Sequence, residues 1–227
     1  MKKIRWLFAE WPLPISNISK KLLSNQYSER KGQGFLLSST GNNRITGKYV
    51  EKTTKKSVIV DPFGNETESI ITSYYVSKFK IESSSRFLEL SDPPRSLRRF
   101  ISELHILLGL GLELSELSVD PLFWLDNIES SLAPVTVTHI SSSGIRVPKY
   151  GLAQISVSGK KDIRQEFSKL IDGKPCNIDS IKFVGHIGNC HVSTELSKTG
   201  AAKISGHVYD GFIDGLKMCL ENSINRR

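Results

Sequence analysis

The 227-residue sequence has little of what disulfide-framed, membrane-spanning or nucleotide-hydrolysing proteins are built from. Its three cysteines, Cys176, Cys190 and Cys219, are odd in number and show no Cys-x-x-Cys spacing. That argues against a disulfide framework and predicts a reducing compartment, the cytoplasm. No window approaches the roughly 18–20 apolar residues that cross a bilayer, so no membrane insertion is expected. Residues 1–10 carry two early lysines, as a secretory leader does. Arg5 and Glu10 interrupt the apolar run, Pro12 and Pro14 end it, and the segment reads as a first strand.

Catalytic signatures are equally scarce. There is no GxxxxGK[ST] and no GxGxxG. Gly109-Leu110-Gly111 follows a helical pattern, so it stops a helix and does not present a helix N-terminus to phosphate. No G-x-S-x-G elbow occurs. His186, Cys190 and His191 lie within six residues, but zinc needs three or four ligands and no second pair has ligand spacing. A nuclease would need clustered carboxylates with a lysine. Glu66 and Glu68 with Lys78 and Lys80 come nearest, and alternating charges on an exposed strand face account for them as well. No cofactor is implied, and the reading leans away from an enzyme.

What the chain does have is positive charge, unevenly placed. The formal net charge is +8. Residues 1–60 hold 12 Lys/Arg against 3 Asp/Glu, residues 61–130 hold 6 against 12, and residues 131–227 hold 13 against 8. Such an excess concentrates polyanions near the surface. The residues placed to meet phosphates are Lys20, Lys21, Arg30, Lys31, Arg44, Lys48, Lys52, Lys55 and Lys56, in loops and on the polar side of early strands. To these are added Arg95, Arg98 and Arg99 on a helix start, and Lys160, Lys161 and Arg164 before and within another helix. With no RNP aromatics, Cys2His2 pattern or helix-turn-helix, backbone and shape reading of a duplex is favoured over base reading.

Periodicity predicts the fold. Alternating strands are expected at Ile4–Phe8, Phe35–Ser38, Arg44–Thr53, Ser57–Val60, Ile70–Ile81 and Arg86–Leu90. Gly41-Asn42-Asn43 and residues 61–65 form turns between strands, and a short helix is expected over Ser16–Leu23. Leu97, Phe100, Ile101, Leu104, Leu107 and Leu108 mark one helix face, with Asp92 as N-cap and Pro93 at its first position. In the second half, strands are expected at Val135–Ile140, Gly151–Ser158, Ile178–Ile187 and His191–Leu196, with an edge strand at Ala201–Ser205. Asp162 caps one helix there, and a last helix spans His207–Ser223. The class is α+β: an antiparallel meander sheet with a helix, followed by a second strand-helix-strand-strand-helix half. The expected domains are 1–111 and 135–227, with 112–134 as a junction.

The order Gly34-Phe35-Leu36-Leu37, a turn, Ile45-Thr46-Gly47-Lys48-Tyr49, a long strand to Phe79, Phe87-Leu88, Pro93-Pro94 and a helix resembles the RexA-type DNA-binding subunits of phage-exclusion systems. A second α+β half ending in a long helix extends the similarity, as an order of elements without shared motifs. The resemblance implies a homodimeric sensor that binds double-stranded DNA with little sequence preference and acts with a separate effector protein in bacterial antiviral defence. Two other readings stand beside it: an interaction subunit of a multi-protein assembly, and a metal-dependent nuclease.

Overall fold

The computed structural model describes residues 1–41, 43–147, 151–187, 190–206 and 209–224. It is α+β, with mostly antiparallel strands. The chain divides into two compact units, Phe8–Ser115 and a second made of Met1–Leu7 with Glu116–Arg227. Strand β1 (Lys2–Glu10) contributes its first six residues to the second unit and its last three to the first.

In the unit Phe8–Ser115, helix α1 (Ile15–Ser24) is followed by β2 (Gln33–Thr40), β3 (Arg44–Val60), β4 (Glu66–Glu82), β5 (Phe87–Ser91) and α2 (Arg98–Leu108). The strands lie in sequence order, each antiparallel to the next, as the meander reading predicts. Alternation sends Ile45 and Tyr49 of β3 and Phe79 and Ile81 of β4 into the core. There the rings of Phe35, Tyr49, Phe79 and Phe100 stack edge-on or tilted, with centroids 5.1–6.3 Å apart. Helix α1 contributes Ile18 and Leu22 to the buried set, and α2 contributes Phe100 and Leu104. Gly34 allows this packing. Its φ is +147°, and a Cβ there would stand 2.5 Å from the amide nitrogen of Tyr27.

Two local expectations change. Residues 44–60 form one 17-residue strand, not two, because Lys55 and Lys56 continue the alternation in the register of β4. Helix α2 starts at Arg98, not at Pro93, and Asp92 does not cap it: Asp92 has φ +46° and the residue before the helix is Leu97. A residue before proline is sterically kept from helical geometry, and Pro93-Pro94 imposes this on Asp92 and Pro93 in succession. Arg95 therefore lies outside the helix, while Arg98 and Arg99 open it. The predicted helix stop at Gly109 holds, with its N–H bonded to the carbonyl of His105. Of the predicted Gly41-Asn42-Asn43 turn, Asn42 lies outside the described residues.

The second unit runs α3 (Pro121–Ser131), β7 (Val135–Val147), β8 (Gly151–Ser158), α4 (Arg164–Ile171), β9 (Asn177–Ile187), β10 (Cys190–Ser197), β11 (Ala201–Gly206) and α5 (Asp210–Ile224). A short strand, β6 (Glu113–Glu116), precedes α3 and pairs with β1. The spatial order is β1-β11-β10-β9-β7-β8. Residues 201–205 are therefore interior rather than an edge, with Lys2–Arg5 of β1 on one side and β10 on the other. The 112–134 stretch carries α3, a helix that sequence periodicity did not reveal. Its cap uses the Asp-Pro rule: Asp120 accepts from the N–H of Leu122, and Pro121 occupies the first helical position. Trp124 of α3 is fully buried, donates to the carbonyl oxygen of Leu216 in α5 at 3.0 Å and meets Trp6 edge-on at 5.9 Å. Helix α5 begins at Asp210, and the expected start at His207 and Val208 lies outside the described residues. No described helix is long and apolar enough to cross a membrane.

Candidate nucleic-acid interface

Strands β3 and β4 are longer than their neighbours. Strand β2 pairs with β3 only between Ile45 and Glu51, and β5 pairs with β4 only between Lys78 and Ile81. Beyond that, residues 52–60 and 66–74 pair with each other alone, out to Val60 opposite Glu66. At about 3.3 Å per residue the two-stranded ribbon extends about 30 Å past the four-stranded sheet. Its turn is built by Asp61, whose Oδ1 accepts from the N–H groups of Phe63 (2.8 Å) and Asn65 (2.9 Å) and whose Oδ2 accepts from the Asn65 amide (2.8 Å). These bonds, the Asn65 side chain first, hold the Asp61 carboxyl below its usual pKa, so the tip keeps its negative charge.

Since Ile45 and Tyr49 face the core, the even-numbered residues of β3 face the other way. Arg44, Lys48, Lys52 and Lys56 therefore form one row, a cation every fourth residue. The row spans about 40 Å, comparable with the 34–36 Å of one duplex turn. In the register of the pair, Lys48 stands directly opposite Lys78. Both are exposed, and neither makes an ion pair among the described residues. Like charges facing each other across strands cost about 0.2–1 kcal/mol, so folding alone does not favour this arrangement.

The other cations selected from the sequence divide by what they touch. Lys52 binds Glu29 at 2.7 Å, Lys56 lies 3.7 Å from Glu68, and Arg99 binds Glu51 at 2.9 Å. Lys21 donates to the carbonyl oxygen of Leu107 at 2.8 Å, near the end of α2. Arg30 and Lys31 are exposed in the loop before β2, close to the ribbon's root, where the Lys52 amide bonds Gly32. Lys20, Lys55, Arg95 and Arg98 are exposed as well. In the second unit Lys160 and Lys161 are exposed ahead of α4, but Arg164 is not free to meet a ligand. Its guanidinium is held by Glu129 at 2.7 and 3.1 Å and by Asp162 at 2.8–3.2 Å.

Lys78 is an exposed cation of this face that sequence reasoning did not place among the phosphate-binding residues. It alternates correctly along β4, but its place beside Lys48 depends on strand register, which the local pattern does not encode. The same register separates the nuclease candidates: Glu68 and Lys78 are ten residues apart on one extended strand, about 33 Å. The rings of His186 and His191 do meet, 5.1 Å apart on paired strands, yet no group of three His, Cys, Asp or Glu able to hold a metal occurs among the described residues. A cleft of about 570 Å³ lies beside Trp11 and Ser83–Arg86, with Arg86 and Glu10 as its charged lining.

No family model and no curated protein matches the sequence.

Proposed function

We propose that this chain binds duplex DNA through its phosphates, without base reading and without catalysis. The observation that carries the reading is the even-numbered face of β3 and β4, where Lys48 and Lys78 stand exposed, without an ion pair among the described residues, and oppose each other at a cost to the fold, with the exposed Arg44 on the same face. A phosphate lying over that face removes the repulsion and releases counterions from the duplex. Lys20, Arg30, Lys31, Lys55, Arg95 and Arg98 supply further charge from the same unit, and Lys160 and Lys161 supply it from the other. Consistent with the RexA-type order of elements, the chain would serve in the bacterial cytoplasm as the sensing subunit of an anti-phage system, with a separate effector protein as partner.

The test is an electrophoretic shift with duplex DNA, single strands and RNA at two salt concentrations, on the parent and on Lys48→Gln/Lys78→Gln. The parent should prefer duplex and lose affinity steeply with salt. The double variant should bind more weakly and reduce the slope of log K against log [salt] by about 2, one per lost phosphate contact. Its thermal stability should be unchanged or higher, by up to about 1 kcal/mol, because the opposed lysines are gone. Equal affinity and equal salt slope in the two proteins would refute the surface.

A further inference from the structure

Near the shared end of β9 and β10 stand two exposed histidines that the duplex-binding face leaves unused. His186 lies directly opposite His191 in the antiparallel register. Five residues apart, the two would face opposite sides of a single strand, and only the pairing of β9 with β10 brings them to one side. Their ring centroids are 5.1 Å apart, and the ring planes meet at 67°. The next residues inward on that face, Val184 and Ser193, are uncharged. Neither imidazole makes an ion pair among the described residues. Imidazole is the commonest protein ligand for metal ions, so two free rings at contact distance invite a test of metal geometry.

A zinc–nitrogen bond of about 2.0–2.1 Å plus roughly 1.1 Å from that nitrogen to the ring centre places the metal about 3.2 Å from each centroid. Centroids 5.1 Å apart then subtend about 106° at the metal, close to the tetrahedral angle. Ligands at right angles, as in square-planar Cu(II) or Ni(II) sites, would need centroids about 4.5 Å apart. The last torsion of a histidine side chain is broad, so exposed rings turn at little cost until one nitrogen of each aims at a common point. We infer that His186 and His191 form a bidentate clamp for Zn(II) across the β9–β10 pair, with two tetrahedral positions left to water. Each neutral imidazole displaces one water from the hydrated ion. Structural zinc sites are filled by four protein ligands and catalytic ones by three. Here no third His, Cys, Asp or Glu completes the set among the described residues, so the ion is held more weakly and exchanges.

The inference stands apart from duplex binding, so Lys48→Gln/Lys78→Gln should leave metal uptake intact. Isothermal titration of the full chain with zinc chloride in a non-chelating buffer should give one Zn(II) per chain. Cobalt chloride should give the intense visible absorption of tetrahedral Co(II). His186→Gln and His191→Gln should each raise the dissociation constant by about tenfold or more. The double variant should bind no more weakly than either single one, because the clamp needs both rings. His105→Gln, at an exposed position on α2, should bind as the parent does. On the parent itself, one equivalent of zinc should shift the imidazole NMR signals of His186 and His191 together, a readout that needs no substitution. No uptake by the parent at about 0.1 mM zinc overturns the inference. So does an affinity untouched by either single glutamine variant, or a weak octahedral Co(II) spectrum on the parent.

Discussion

Replacing Arg164 by alanine separates a fold-holding cation from a ligand-facing one. Its guanidinium joins Glu129 of α3 to Asp162 at the start of α4, at 2.7–3.2 Å, through five N–H···O contacts. Asp162 also accepts from the N–H of Val137 in β7 at 3.1 Å and from that of Arg164 itself. Three elements therefore share one charge cluster. A single charge-assisted bond is worth about 1.5–3 kcal/mol when buried. The side chains of Arg164 and Asp162 are 36% exposed and that of Glu129 24%, so solvent screening removes much of this. Truncation also leaves two carboxylates facing each other. The net loss should be about 2 kcal/mol, a fall of roughly 6–10 °C in the melting transition of a unit this size. Lys161→Ala, an exposed neighbour, should stay within about 0.5 kcal/mol. The sign with pH is fixed by Asp162. Burial alone would raise its pKa, but hydrogen bonds from Arg164 and from backbone N–H groups outweigh that and hold it below the usual value. Its contribution is present above the unfolded carboxylate range and disappears as pH falls through the lower folded value. The gap between parent and Arg164→Ala should thus be full at pH 7, begin to narrow below about pH 4, and be gone only once pH is below the lower folded value. Calorimetry at pH 7 and pH 3.5, with duplex affinity of the folded variant, reads all of this. A variant with parental stability and weakened DNA binding would refute the structural assignment and return Arg164 to the phosphate-binding set.

Two further outcomes follow from the packing and the charges. Trp124→Phe removes the indole donor to Leu216 and part of the edge contact with Trp6, and should cost about 1–2 kcal/mol by chemical denaturation, whereas Trp124→Ala should cost about 3–5. A Phe variant as stable as the parent would show that the indole bond contributes nothing. The Tyr27 phenol donates to Glu29, which pushes its pKa up to about 12. In ultraviolet titration, the difference between parent and Tyr27→Phe should report that value. Glu29→Gln should bring it back toward 10, and an unshifted midpoint would contradict the hydrogen bond.

Period-two alternation determined a good deal on its own. It gave the antiparallel strands of both halves, the alternation of Ile45 and Tyr49 against Lys48 in β3 and of Phe79 against Lys78 in β4, and the polar side carrying Arg44, Lys48 and Lys52; Lys56 joined that row only once residues 44–60 proved to be one strand. These follow from the local geometry of an extended chain, in which neighbouring side chains point to opposite faces. The rule that aspartate before proline caps a helix was also legible, but it had two candidates. It fails at Asp92, where a second proline blocks helical geometry, and holds at Asp120, where none follows. Helix α3 escaped notice although Pro121, Trp124, Leu125 and Ile128 lie on one buried face at i, i+3, i+4 and i+7, because the apolar Leu122 and Phe123 lie off that face and blur the stripe in a short segment also dense in carboxylates.

Whatever depended on a distant partner waited for the tertiary structure. The sequence shows a basic first quarter followed by an acidic stretch, and only the register of β3 with β4 makes these two edges of one ribbon. That register sets Lys48 beside Lys78, and the shortness of β2 and β5 leaves the outer strands unflanked. Arg164 looked like any exposed cation at a helix start until Glu129, 35 residues away, was placed against it. A residue's own pattern decides whether it faces water. Which charge it meets there is decided by chain segments that local spacing does not encode.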